Sequence, residues 1–214
     1  MKVGILGSGL MGGKLGTIFA RTGHEVVFSY ARSREKLNRL ASAAGANARA
    51  GTPAEAARDA DALLLAVPWA QMDDVLSQAG NLSGKVLLTC ALPHDSATNE
   101  LSIGHTLSGA EELAKRAKGA RVVSAFHTAP SEVFFPVYEA RGKAEPPSLL
   151  FSGDDRRANE VAASLIGDVG FDPVYAGPLR TARYTEPFVM VIARLAYEGE
   201  GGPEVAYRFI RFAK

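Results

Sequence analysis

A chain of 214 residues, 47% hydrophobic and 22% charged, is long enough to bury a full core and has the composition of an ordinary globular domain. Lys and Arg total 24 against 23 for Asp and Glu, a net charge of +1, which argues against nucleic acid or an anionic membrane as the main partner. The single cysteine, Cys90, excludes an intrachain disulfide, and no apolar run approaches the roughly 20 residues of a membrane helix, so the expected location is the cytoplasm.

Short apolar runs alternate with helical periodicities along the chain. It opens on a strand at 3–6 and a helix at 11–22 that stops on Gly23, followed by a strand at 25–28 and a helix at 33–44. Thr52-Pro53 reads as an N-cap with proline at the first helical position, starting a helix over 53–58. Strands then fall at 62–67, 86–90, 122–126, 148–152 and 173–175, with helices at 70–78, 108–117, 155–169 and 180–195. Residues 138–147, charged and ending in two prolines, read as an exposed loop. The tail Gly199–Pro203 breaks the last helix, and 204–213 is expected to form a short final one. This is α/β alternation: a doubly wound, mostly parallel sheet in one domain over 1–214, with 178–214 as a C-terminal helical segment.

The first strand runs straight into Gly7-Ser8-Gly9-Leu10-Met11-Gly12, a G-x-G-x-x-G turn that opens a helix with Leu15, Ile18 and Phe19 on one face. In that context each glycine has a task. Gly7 makes the tight turn, Gly9 lets the backbone approach a pyrophosphate, and Gly12 lets helix and strand pack closely. Unpaired N–H groups at the helix start then form an anion site, the fingerprint of a Rossmann dinucleotide-binding fold. An NAD-selective member carries an acid at the end of the second strand for the ribose 2′-hydroxyl. Here that segment reads Phe28-Ser29-Tyr30-Ala31-Arg32-Ser33-Arg34-Glu35-Lys36, with Ser29 and Arg32 at the strand end and Arg34 and Lys36 just beyond. A basic segment without the acid suits the extra charge of a 2′-phosphate, so the expected cofactor is NADP(H).

None of the tyrosines is followed four residues later by lysine, so the acid–base pair of short-chain dehydrogenases is missing. His24, His94, His105 and His127 are dispersed, and no cluster has metal-ligand spacing, so no metal is expected. Hydride transfer between two cofactors needs stacking and distance control more than an acid or base, which this inventory allows.

Four stretches, GILGSGLMGGKLG, DALLLAVPWAQMDDVL, AFHTAPSEVF and GFDPVYAGPLRTARYTEP, with the segment SGAEELAKRAKGARVV between them, resemble the NADP oxidoreductases that reduce a deazaflavin coenzyme, relatives of the cytosolic domains of metalloreductases. The resemblance implies a homodimer, with a deazaflavin or flavin laid flat against the nicotinamide. Its phosphate turn falls on Gly7, Ser8, Gly9, Leu10 and Met11, its 2′-phosphate site on Ala31, Arg32 and Lys36, and its nicotinamide loop on Ala66, Val67 and Pro68. The chain departs from the pattern at Ala31 (usually serine), at Cys90-Ala91-Leu92-Pro93 (usually a Thr/Asn-Pro turn) and at His127 (usually asparagine).

His127 is the one titratable group near the expected nicotinamide edge suited to proton transfer, with a structural, hydrogen-bonded histidine as the other reading. Trp69 either lies against a ring system or fills a helix–sheet seam, and Cys90 reads as a small buried hydrophobe. The expected activity is hydride transfer between NADP(H) and a flat redox acceptor. The rivals are a non-catalytic NADP(H)-binding redox regulator and a reductase of small carbonyls or imines that uses His127.

Overall fold

The computed structural model describes residues 1–95, 97–98 and 100–212. Its main sheet is built from β1 (Lys2–Leu6), β2 (Glu25–Ser29), β3 (Ala48–Ala50), β4 (Ala62–Leu65), β5 (Val86–Thr89), β8 (Arg121–Ser124), β9 (Ser148–Gly153) and β10 (Asp172–Tyr175). The spatial order is β10-β9-β8-β5-β4-β1-β2-β3. The order reverses beside β1, where such sheets hold ligands at their carboxyl edge. A separate two-stranded ribbon pairs β6 (His94–Asp95) with β7 (Glu100–Leu101).

Alternation along the strands sends side chains to two cores. Val3, Ile5, Leu64 and Leu88 join α1 (Leu10–Arg21), α2 (Arg34–Ala44) and α7 (Arg156–Val169) on one face. Leu6, Leu63, Leu65 and Leu87 join α3 (Pro53–Arg58), α4 (Met72–Ala79) and α5 (Gly109–Arg116) on the other. The helix starts follow local chemistry. Thr52 with Glu55 and Ser108 with Glu111 form complete capping boxes, while Ser33 and Asp155 cap α2 and α7.

The mostly parallel sheet expected from the alternation is present, with one reversal: β9 runs antiparallel to β8, and β10 follows β9 in parallel. The connection after β8 carries only a 3-10 turn and α6 (Phe134–Glu139) before β9 begins, a short excursion rather than a full crossover helix. The final helix expected over 204–213 does not form. Through 212 this segment is an extended strap, with the Ser148 N–H donating to the Tyr207 carbonyl at 2.8 Å and the Phe209 N–H to Ser148 Oγ at 3.0 Å. Glycines at 199, 201 and 202 disfavour helix just before it, and Tyr207 and Phe209 make their backbone bonds with Ser148 at the start of β9 instead. The last helix, α8 (Ala182–Tyr197), ends just upstream.

Candidate functional site: a dinucleotide cradle and an adjoining cavity

At the start of α1 the turn is drawn tight from behind. The N–H groups of Gly7 and Ser8 donate to the carbonyls of Ser29 and Tyr30, and the Ser8 hydroxyl donates to Ser29 O at 2.8 Å. Gly7 has φ +112°, and a Cβ on Gly12 would lie 2.0 Å from the Gly7 carbonyl oxygen. These two glycines hold the corner closed. Gly9 is the opposite case, since a Cβ there would meet nothing within 4 Å. Gly9 is also the N-cap of α1 and supplies no side-chain cap. The first N–H groups of the helix, those of Leu10 and Met11 among them, therefore lack an intrahelical or capping partner and open onto unfilled space, the arrangement an anion needs.

At the end of β2 the expected polar contact is redistributed. Ser29 is fully buried and its hydroxyl donates to the Ile5 carbonyl at 2.6 Å, so it braces the strand pair and is not free to meet a phosphate. Tyr30, which the sequence reading passed over, takes a left-handed conformation at φ 56°. Its hydroxyl donates to Asp74 at 2.6 Å, and burial, with the neighbouring carboxylate, pushes the phenol up to about 12. That tether fixes where the next residues emerge. Arg32 and Arg34 are exposed and Lys36 half-buried, and none of the three has an ion-pair partner among the described residues, whereas neighbouring Arg39 pairs with Glu35. The loop 66–68 abuts the same corner, with the Ala66 carbonyl and the Val67 side chain within 2.7 Å of a Cβ placed on Gly7 and Pro68 exposed beyond.

Beside the cradle lies a cavity of about 270 Å³ between the start of α1, the end of β5, the segment after β8, and α8. Leu10, Met11, Leu92, Val189 and Ile192 make it largely apolar; Cys90 and His127 lie on its walls. The backbone enters this wall under strain, since Phe126, fully buried, has φ 68° immediately before His127. The His127 ring is buried, with Nε2 3.1 Å from Thr185 Oγ1 and Nδ1 without a hydrogen-bond partner. Burial, only partly offset by the Ala125 backbone, pushes its pKa down to about 4, so the imidazole is neutral at pH 7. Cys90 donates to the Leu65 carbonyl at 3.6 Å, and burial raises the thiol to about 12, an inert hydrophobe as its strand-end position implied.

Trp69 goes the way of a seam. Its ring meets Gly109 at the start of α5, with the Arg116 guanidinium 5.2 Å above it, and it is absent from the cavity wall. What roofs the cavity is α8, docked by contacts with no local sequence signature. Buried Glu186 accepts from the N–H groups of Gly109 and Ala110 at 2.7 and 3.0 Å, and Arg183 grips Glu111. Burial raises the Glu186 carboxyl to about 7 against those two backbone bonds. The strap reaches the same region, the Tyr207 hydroxyl donating to Thr128 Oγ1 at 2.8 Å. Among the described residues no group of three or more His, Cys, Asp or Glu could hold a metal, and no helix is long and apolar enough to cross a membrane.

Fold and cradle together define a protein of the dinucleotide-binding Rossmann class. Residues 2–93 match the family of NADP oxidoreductases, coenzyme F420-dependent, which supports over that span the resemblance read from the sequence. Among solved structures, a protein of an Arthrobacter species provisionally named an F420-dependent NADP reductase aligns over 99% of this chain and 100% of its own, with 24% identity and a TM-score of 0.86. A hypothetical protein of Sinorhizobium meliloti aligns over 98% of this chain and 96% of its own, with 24% identity and a TM-score of 0.75. A reductive aminase of Aspergillus terreus, solved with NADPH and ethyl levulinate, shares 23% identity and a TM-score of 0.62 over 89% of this chain and 60% of its own. At these identities the structural likeness establishes the fold. No curated protein matches the chain significantly.

Proposed function

We propose that the protein is an NADP(H)-dependent oxidoreductase that passes a hydride between the nicotinamide and a flat redox acceptor of the deazaflavin or flavin type. The observation that carries this reading is the uncapped start of α1 opening beside the unpaired Arg32, Arg34 and Lys36. The pyrophosphate would rest on the N–H groups of Leu10 and Met11 over Gly9, the 2′-phosphate on the basic segment, and the nicotinamide against 66–68 beside the cavity. The family matched over 2–93 points the same way. The bound cofactor supplies the hydride; the chain's part is to hold the rings apart from water and at the right distance.

The rival reading, reduction of a carbonyl or imine, draws on the reductive aminases among the fold's relatives. Against it stands the neutral His127 ring, which is a poor proton donor at pH 7. Calorimetric titration with NADP+ and NAD+ tests the core of the proposal. NADP+ is expected to bind at least tenfold more tightly, about 1.4 kcal/mol; equal affinities overturn it. A homodimer and a cytoplasmic location belong to the same reading. The dimer draws support from Tyr184, Val191 and Leu195, spaced along an exposed side of α8, and sedimentation as a monomer at micromolar concentration counts against it.

A further inference from the structure

The cavity under α8 is apolar except at a few points. Among the described residues no lysine or arginine lines it, and the one charged group on its wall is the Glu132 carboxylate. That carboxylate is held in place from one side only. Its Oε2 accepts from the Ser131 hydroxyl at 3.2 Å and from the Tyr197 phenol at 3.0 Å, while Oε1 has no partner among the described residues. The nearest cation in this network, Lys14, is already committed to the Ser131 carbonyl and hydroxyl at 2.9 and 3.2 Å. His127 also lines the cavity, with Nε2 3.1 Å from Thr185 Oγ1.

Resting on the acceptor reading above, we propose that Glu132 selects the acceptor: the cavity takes a heteroaromatic acceptor that presents a ring N–H at its entering edge and rejects one that presents a carboxylate there. A ring N–H donated to Glu132 Oε1 makes a charge-assisted hydrogen bond at the rim of an otherwise apolar wall. A 2-oxo acid would bring a second carboxylate against Glu132 with no cation among the described lining residues and with Lys14 engaged by Ser131, so the same residue that attracts one class repels the other. Ser131 and Tyr197 act through Glu132 as positioning residues by fixing its rotamer.

The test uses riboflavin and 3-methylriboflavin, which differ at one ring N–H, titrated into NADP+-saturated protein with quenching of flavin fluorescence as the readout. The wild type is expected to bind riboflavin at least tenfold more tightly than its methylated analogue. Glu132→Ala should bring the two within twofold while leaving NADP+ affinity unchanged, and Glu132→Gln, which keeps an acceptor oxygen without the charge, should retain an intermediate preference. Equal binding of the two flavins by the wild type, discrimination that survives in Glu132→Ala, or no binding of either flavin overturns the assignment. NADP+ affinity in the same samples reports on the dinucleotide reading separately. Oxidation of NADPH by both flavins at equal rates would remove the role of Glu132 and leave the oxidoreductase standing.

Discussion

Thr185 and His127, 58 residues apart in sequence, meet through a 3.1 Å contact between Thr185 Oγ1 and His127 Nε2 that pins the imidazole against α8. The contact leaves Nδ1 as the ring atom without a partner. With its pKa pushed down to about 4 by burial, the His127 ring is neutral at pH 7 and is expected to act through hydrogen bonding rather than as an imidazolium acid.

His127→Asn is therefore expected to leave NADPH oxidation by a flat acceptor within a fewfold of wild type, because asparagine supplies a similar polar edge. The rate should show no inflection near pH 6.5 in either protein. A loss of turnover of roughly 10²-fold with NADPH affinity unchanged would instead assign His127 a proton-transfer role and favour a carbonyl or imine substrate.

The two buried titratable groups attached to α8 pull the stability curve in opposite directions. His127 has its pKa lowered from 6.5 to about 4 on folding, so its contribution is present above pH 6.5 and is lost as pH falls through 4. Glu186 has its pKa raised from 4.5 to about 7, so its contribution is present below pH 4.5 and is lost as pH rises through 7. Each is worth on the order of 3 kcal/mol across its window. Between pH 4.5 and 6.5 the slopes cancel, and wild-type stability from urea denaturation should be nearly flat with respect to these groups. Glu186→Gln should leave stability that rises with pH across that range, and His127→Asn stability that falls. Parallel curves for the three proteins would show that the two groups are not coupled to folding in this way.

Gly9 and Gly12 separate binding from packing within one motif. Gly9→Ala places its methyl in open space, so stability should hold while NADP(H) affinity falls at least tenfold, because the methyl occupies the approach to the helix start. Gly12→Ala drives a methyl to 2.0 Å from the Gly7 carbonyl oxygen and should lower the thermal midpoint by several degrees even without ligand. Thermal melts and calorimetry on both variants decide the matter; unchanged affinity in Gly9→Ala would move the pyrophosphate elsewhere.

The parts of this protein that were legible in its sequence are those whose physics is local. The glycine turn, the cap at Thr52, the basic run from Arg32 to Lys36 and the helix periods each depend on neighbours within a few positions. Strand β3 escaped notice because Ala48–Ala50 is too short to show a period. Ser29 looked available because a serine at a strand end says nothing of the Ile5 carbonyl that takes its proton. The contacts that build the cavity were illegible for a related reason. Glu186 reaches Gly109 across 77 positions and Tyr207 reaches Thr128 across 79, and neither pairing leaves a trace in spacing. The resemblance marked the stretch that holds Thr185 and Glu186, but not what those side chains do.

Discrimination between the two dinucleotides should rest on Arg32 more than on its neighbours. Arg32 directly follows the segment fixed by Tyr30, whose hydroxyl is tied to Asp74 and whose carbonyl receives the Ser8 N–H, so its backbone position is set relative to the phosphate turn itself. Arg34 and Lys36 lie in the first turn of α2, whose N-cap Ser33 accepts from the Lys36 N–H; they add charge from a helix surface open to solvent. Arg32→Ala is expected to weaken NADP(H) at least tenfold and NAD(H) less than twofold, since only the 2′-phosphate contact is removed. Arg34→Ala and Lys36→Ala should each cost a fewfold, and raising the salt concentration should shrink their effects first, as expected for exposed charges. Calorimetric titration of both dinucleotides at low and high salt measures every term. An equal loss for NADP(H) and NAD(H) in Arg32→Ala would mean that the arginine grips the pyrophosphate or the fold rather than the 2′-phosphate.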